Sequence, residues 1–402
     1  MARQTQAQKV EKQNEDEALA FFQGVLGLLP DPRRRQGIRY PLITVVATAL
    51  MAMVCGCDDA EAMEAWAEAH HDWLQTFLPL PHGTPTQDVY LAVLGALDPA
   101  AFEQALQSWA ALLVLRLKGG DKHIAVDGKT SRGSLDLTQG KKAIHTVSAW
   151  LSDAGLVLAQ SKTDEKSNEI KVIPELLRVL DLSRATVTLD AMGCQVEIAE
   201  TIRQGGGHYL LAVKDNQPTL HQELQETFGE VDDERRRAFD EESRPPVEVW
   251  EETDGGHGRV EVRRVRICHV LAWVLSADRW KGLAVLVEVR RERTVMSSGQ
   301  TSVETCYFIG SDATSSAEQV GKCLRRHWSI ENGLHWVLDM AFREDEARHR
   351  ARNTAKNMNT LRHFALNLLK QDNNRKLGIA NSRKRAGWDR GYLLHLLTAG
   401  TP

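Results

Sequence analysis

The feature that most constrains the fold is a change of hydrophobic period at Lys118-Gly119-Gly120-Asp121. Before it, apolar residues recur at helical spacing. Beyond it they gather in short strand-forming runs at 123–127, 144–151 and 156–162. A helix near 169–180, a strand 185–190, a helix 194–204, a strand 208–213 and a helix 218–228 are predicted next. Asp153-Ala154-Gly155 suits a hairpin between the second and third strands. Three strands followed by β–α alternation demand a mixed sheet with helices on its faces, an α/β core.

The flanks differ from this core. Residues 1–16 are polar and are expected to be disordered, with a short helix from Asp16 to Leu29 ended by Pro30-Asp31-Pro32. A basic loop follows, Arg33-Arg34-Arg35-Gln36-Gly37-Ile38-Arg39-Tyr40, which suits either phosphate contact or a solvated connector. Helices are predicted at 42–55, 58–77, 86–97 and 99–117, with Thr86 and Asp98-Pro99 as start signals. Residues 1–118 therefore read as an N-terminal helical domain, and 119–402 as a second, mixed-sheet domain. Within the latter, Val247–Thr253, Arg259–Val270, Leu283–Arg293 and Ser302–Ile309 read as strands of a β insertion at about 230–311. The first two flank Asp254-Gly255-Gly256-His257-Gly258, a Gly-rich turn, and a basic helical region, about 321–402, ends the chain.

Length and composition, 402 residues with 42% hydrophobic and 26% charged, are those of a globular protein with ample core. The formal charge of −4 hides an asymmetry. Gly321 to Arg390 carries 16 Lys and Arg against 7 Asp and Glu, a net +9 that leaves −13 elsewhere. That pattern fits a local polyanion-binding surface or a solvated basic helix face. The most apolar stretch, Leu42 to Cys57, is short for a bilayer span and reads as a core helix. The six cysteines form no Cys-x-x-Cys pair and no zinc-like spacing, and the N-terminus lacks a signal-peptide apolar run. A reducing, cytoplasmic location without membrane contact is expected.

The first and fourth predicted strands end alike, at Asp127 and Asp190. In a ribonuclease-H-like layout these strands are parallel neighbours, and open α/β sheets bind ligands beyond the carboxyl ends of their strands. Asp127 before Gly128 reads by itself equally as a turn residue. A third carboxylate lies in Ser329-Ile330-Glu331-Asn332-Gly333-Leu334-His335-Trp336-Val337-Leu338-Asp339, where Glu331, His335 and Asp339 share a helical stripe. Such a stripe reads also as a solvated face, and Gly333 within it, costing about 1 kcal/mol relative to Ala, points to close packing or close ligand approach.

The ordered set of motifs is similar to that of bacterial insertion-sequence transposases with a DDE triad, the H-repeat-associated proteins included. Residues carrying the resemblance are Asp31-Pro32-Arg33-Arg34-Arg35-Gln36-Gly37, Asp127-Gly128-Lys129-Thr130, Asp164-Glu165-Lys166-Ser167-Asn168-Glu169-Ile170 and Asp190-Ala191-Met192-Gly193-Cys194-Gln195. Lys214 with Asn216-Gln217-Pro218, Gly256-His257-Gly258-Arg259, His327-Trp328-Ser329-Ile330-Glu331-Asn332, His335-Trp336-Val337-Leu338-Asp339 and Phe342-Arg343-Glu344-Asp345 complete it. The resemblance implies that Asp127, Asp190 and Glu331 are catalytic and hold two Mg²⁺ ions, with Mn²⁺ as a substitute. It implies cleavage of transposon inverted repeats, strand transfer into double-stranded target DNA, and at least a homodimer on DNA. It also implies DNA binding or assembly for 1–118, catalysis for 119–402 and a nucleoid-associated location, with Lys129, Lys214, His257, Arg259, Arg325, Arg326 and His335 as candidate DNA contacts; Lys214 reads equally as a solvated strand-end lysine, and His257 with Arg259 more readily as a bare hairpin turn. Related families carry Tyr and Arg before the glutamate and Lys after it, whereas Leu324, His327 and Leu338 stand here. Two alternatives are a ribonuclease-H-type nuclease using Glu165 or Glu169, and an inactive DNA-binding remnant. A phosphate-binding loop at Gly128-Lys129-Thr130 fails, because His123 stands where its first glycine is required.

Overall fold

The structure, a computed structural model, describes residues 6–399 apart from 35, 37, 118–119, 136–139, 141, 164–168, 233–245, 257, 272–273 and 373–376. For residues 6–9, 11 and 230–232 it describes the backbone alone. Six helices come first: α1 (Gln6–Leu26), α2 (Leu42–Val54), α3 (Ala60–Ala69), α4 (His71–Leu74), α5 (Gln87–Ala96) and α6 (Pro99–Arg116). The expected disorder of 1–16 does not hold for its described part, because α1 begins at Gln6. Lys12 supports that first half by pairing with Asp16 at 3.1 Å and Glu15 at 3.6 Å, and it donates to Thr76 O at 3.3 Å. The single helix expected over 58–77 is two, broken at His70, whose ring stacks on Trp66. Asp98 caps α6 through Ala100 N as expected, while Thr86 makes no side-chain cap; Glu64 takes the Gln87 N–H instead at 2.8 Å.

Nine strands form one sheet in the order β3-β2-β1-β4-β5-β9-β8-β7-β6. β1 (Lys122–Ser131), β2 (Ile144–Leu151) and β3 (Leu156–Thr163) are antiparallel, while β4 (Ala185–Leu189) and β5 (His208–Val213) run parallel to β1. Between them come α7 (Glu169–Arg178) and α8 (Val196–Gln204), with α9 (Pro218–Asp232) after β5. Strands β6 (Val247–Gly256), β7 (Arg259–Cys268), β8 (Val285–Val295) and β9 (Thr301–Gly310) are the β-rich segment expected from sequence. They do not form a separate sheet. β9 pairs antiparallel with β5, Leu211 opposite Ile309, so the segment continues the core sheet past an edge that would otherwise be open.

α10 (Ala317–His327) starts with a capping box between Ser316 and Gln319 and packs under β6 and β7. A π turn at Glu331–His335 leads into α11 (Trp336–Phe342), followed by α12 (Thr354–Lys370), α13 (Ile379–Trp388) and α14 (Arg390–Ala399). α12 is buried along almost its whole length, against α2, α5 and α6 on one side and β3 on the other. α14 lies on α1. The 1–118 segment therefore shares its core with the last helices rather than enclosing one of its own. No single helix among the described residues is long and apolar enough to cross a membrane.

Candidate active site at the carboxyl ends of β1 and β4

Parallel pairing of β1 with β4 ends at Val126 opposite Leu189, so the next residue on each strand is an aspartate, Asp127 and Asp190. The expectation that the first strand stops at Asp127 is corrected by the structure. β1 runs on to Ser131, paired with β2 as far as Ile144, and only its β4 side opens at the carboxylate. One oxygen of each aspartate is fixed by a backbone donor: Gly128 N to Asp127 Oδ1 at 2.9 Å, and Gly193 N to Asp190 Oδ1 at 3.1 Å. Asp127 is half-buried while Asp190 is exposed. Burial, joined by the negative charges of Asp190, Glu169 and Glu331, pushes the Asp127 carboxyl up to about 7.

Glu331 reaches this place from the π turn, where the Trp336 N–H bonds Glu331 O five residues back. Gly333 is the reason the turn can lie so close to the sheet. A Cβ there would stand 2.7 Å from Trp150 of β2, and Trp150 Nε1 donates to Ser329 Oγ at 3.2 Å. Close packing, not ligand approach, is thus what Gly333 serves. The polar stripe is solvated only at Glu331, while His335 and Asp339 turn to β1. His335 Nδ1 lies 3.5 Å from Asp127 Oδ2, and Asp339 Oδ1 2.7 Å from Lys129 Nζ. Burial and the nearby Lys129 hold His335 down at about 4, so it is neutral at pH 7.

Glu169, weighed in the sequence for a nuclease-like role, opens α7 as a buried residue in contact with His145 of β2. A side chain at Gly128 would overlap both, which explains the glycine after Asp127. His145 is held in turn by Thr130 Oγ1 at 2.8 Å. Nothing in the sequence marked this histidine. Glu165 lies outside the described residues.

Among the described residues no three His, Cys, Asp or Glu side chains already form a metal-ligand cluster. The donor set still fits a divalent cation. Burial, and after it the nearby carboxylates of Asp190, Glu169 and Glu331, oppose ionisation of Asp127, and a dication would offset both while finding there the hard oxygen ligands it prefers. Asp190 and Glu331 are exposed and free to turn toward it.

The candidate DNA contacts divide. Lys214 is exposed at the end of β5 and lines a cleft of about 170 Å³ with Asp190, Arg263, Arg291, His327 and Trp328. Arg259 is exposed at the start of β7, and His257 lies outside the described residues. Arg325 is taken up by Glu252 at 2.6 Å and by Asp254, and Arg326 lies 3.2 Å from Asp153. His335 faces Asp127. Lys129 is corrected: only 11% exposed, it is bound by carboxylates and is not a surface contact. At the positions where related families carry Tyr, Arg and Lys, Leu324 and Leu338 are buried in the core, and His327 bonds Thr188 Oγ1 at 2.8 Å. The basic loop is likewise engaged at one point, Arg33 forking onto Asp31 and donating to Tyr40 O at 2.9 Å.

A family model described as the Transposase DDE domain matches residues 118–368, and one described as DDE_Tnp_1-associated matches 24–110. The chain belongs to this DDE transposase family and is a bacterial insertion-sequence transposase. It is 33% identical over 374 residues to YhhI of Escherichia coli K12, named as an H repeat-associated transposase, covering 92% of this chain and 96% of that one. YncI of Escherichia coli O157:H7, named as a transposase, is 33% identical over 386 residues, 93% of each. A protein encoded in the dhlA 3′ region of Xanthobacter autotrophicus is 38% identical over 287 residues, 71% of this chain and 92% of that one. A solved piggyBac transposase synaptic complex with hairpin DNA aligns over 97% of this chain and 77% of that chain, at a TM-score of 0.38 and 11% identity. The family uses divalent metal ions, and a transposase acts on DNA.

Proposed function

We infer that Asp127, Asp190 and Glu331 hold two Mg²⁺ ions, or Mn²⁺ in their place, and that this site cleaves the inverted repeats of an insertion sequence and joins them to target DNA. The observation that carries the reading is the placing of Asp127 and Asp190 on neighbouring residues past the β1–β4 pairing, where burial first, and the charges of Asp190, Glu169 and Glu331 after it, raise the Asp127 carboxyl to about 7. When bound, such ions activate water or a 3′-hydroxyl and stabilise the departing oxygen of a phosphodiester. The chain's own residues prepare the place. Gly128 and Gly193 orient one oxygen of each aspartate, leaving the other to turn outward. Neutral His335 adds no cation that would compete for the Asp127 carboxylate. Lys214 and Trp328, beside Asp190 in the cleft, are suited to a phosphate and a base face of the bound strand. Two ends are handled in one reaction, so a homodimer or larger assembly on DNA belongs to the reading.

The test uses purified protein, Mg²⁺ and DNA bearing the flanking inverted repeats. Asp127→Asn, Asp190→Asn and Glu331→Gln are each expected to lose cleavage by at least about 10³-fold while binding DNA within about twofold of wild type. Metal-dependent cleavage surviving in any one of them removes that residue from the site. Cleavage without joining in the wild type would favour the nuclease reading, for which the buried Glu169 beside Asp127 is the supporting observation.

A further inference from the structure

Strand alternation puts Asp127 and Lys129 on one face of β1, and helical spacing puts His335 and Asp339 on one face of the segment that carries Glu331. Two ties cross between them. His335 Nδ1 approaches Asp127 Oδ2 at 3.5 Å, and Lys129 Nζ meets Asp339 Oδ1 at 2.7 Å. Past the end of α11 the left-handed Arg343, φ 49°, turns the chain back, and Glu344 and Asp345 return to the same lysine. Glu344 Oε2 lies 2.8 Å from Lys129 Nζ and Asp345 Oδ1 3.7 Å. The Asp345 carboxylate also accepts the Arg132 backbone N–H at 2.9 Å, and Asn359 of α12 donates to the other Glu344 oxygen at 2.7 Å.

Lys129 is 11% exposed and Glu344 1%, so the pairing is largely cut off from water. Burial opposes the lysine's charge, yet Glu344 and Asp339 outweigh it. The Glu331 segment that these ties hold opens on a π turn. Such i→i+5 turns are rare, occur as single-turn bulges and are frequent at functional sites.

We propose that Lys129 is a positioning residue for metal binding: by holding Asp339 and Glu344 it sets the height and roll of the Glu331 segment against Asp127. The proposal rests on the reading of Asp127, Asp190 and Glu331 as the metal-holding carboxylates. Lys129 touches neither DNA nor the reacting atoms, and its effect passes through Glu331. Partners at this remove from a metal commonly change its affinity by 10–100-fold.

The experiment measures thermal midpoints of the full-length protein without DNA across a Mn²⁺ titration. Wild type, Glu331→Gln, Lys129→Met, Lys129→Arg and Asp339→Asn are compared. Wild type is expected to gain stability with metal and Glu331→Gln to lose the gain. Lys129→Met and Asp339→Asn are expected to raise the half-saturating concentration about tenfold, with Lys129→Arg recovering part of the loss. Should Lys129→Met fail to fold, Asp339→Asn decides alone, since it leaves the Lys129–Glu344 pair in place. No metal response in wild type, or an unchanged one in Glu331→Gln, overturns the triad reading and this proposal with it. Normal responses there, with an unchanged half-saturating concentration in Asp339→Asn, overturn the positioning role alone. A metal response in Lys129→Met equal to wild type, with DNA affinity in EDTA reduced, would mark the lysine as a phosphate contact and overturn the proposal as well.

Discussion

At the scale of single residues, Asp127 carries a pH dependence whose sign is fixed. Its folded carboxyl sits at about 7, above the roughly 3.9 of an unfolded aspartate, so the folded state binds the proton more tightly. Its contribution to stability is complete below about pH 4 and is lost as pH rises through about 7. Metal-free wild type should therefore lose stability across that window relative to Asp127→Asn, by up to roughly 3–4 kcal/mol at pH 8. Urea titrations in EDTA at pH 5 and pH 8 measure the difference; equal stabilities at both would refute it. Added Mg²⁺ should close the gap at pH 8 in wild type only. The carboxylates at 127, 190 and 331 stand out in the sequence because two close apolar runs and one opens a helical stripe. Lys129 could not be read correctly. Its partners Asp339, Glu344 and Asp345 are more than 200 residues away, and a sequence shows a charge without its counter-charge.

At the scale of elements, the β–α order beyond residue 120 was legible because strand and helix periods differ, and the β-rich segment was visible for the same reason. What the period hid was the passage of β1 beyond Asp127, since Gly128 and Lys129 break the apolar run while β2 still pairs with them. The π turn was hidden too, because a helical stripe in the sequence carries no mark of an i→i+5 bond. Gly333 now gives that turn a test. In a straight exposed helix Gly→Ala would stabilise by about 1 kcal/mol. Here the new methyl meets the Trp150 ring at 2.7 Å, so Gly333→Ala is expected to destabilise by about 1–3 kcal/mol instead. Cleavage should fall further than stability does, because the displaced element carries Glu331. Denaturation midpoints and cleavage rates at saturating Mg²⁺, measured together, decide it, and a stabilised, fully active variant would refute the packing account.

At the scale of the whole molecule, the helices before residue 118 and those after 354 are one packed body, although the sequence separates them by the entire sheet. Arg383 of α13 shows how the parts are joined. It is 3% exposed, donates to Met53 O at the end of α2 at 2.7 Å and to Asp58 at 2.6 Å, and bonds Ala341 O on α11. Its guanidinium also stacks over Phe342 at 4.1 Å. One side chain thus ties the N-terminal helices, the end of the Glu331 segment and the C-terminal helices together. This also accounts for part of the basic C-terminal charge, which serves the interior rather than a DNA-facing surface. Arg383→Met keeps the apolar stem but leaves Asp58 without the guanidinium it pairs with and removes a donor from Met53 O and from Ala341 O. A loss of about 3–5 kcal/mol is expected, the usual effect of breaking a buried pair from one side. Because the core is shared, the loss should appear as one shifted cooperative transition rather than as early melting of the first 118 residues. Tryptophan fluorescence would mix signals from both regions, so the transition is best followed by amide hydrogen exchange, resolved between α2 and β4. If α2 exchanged far below the stability of β4 in wild type, the N-terminal helices would be an independent unit and the shared-core account would fall.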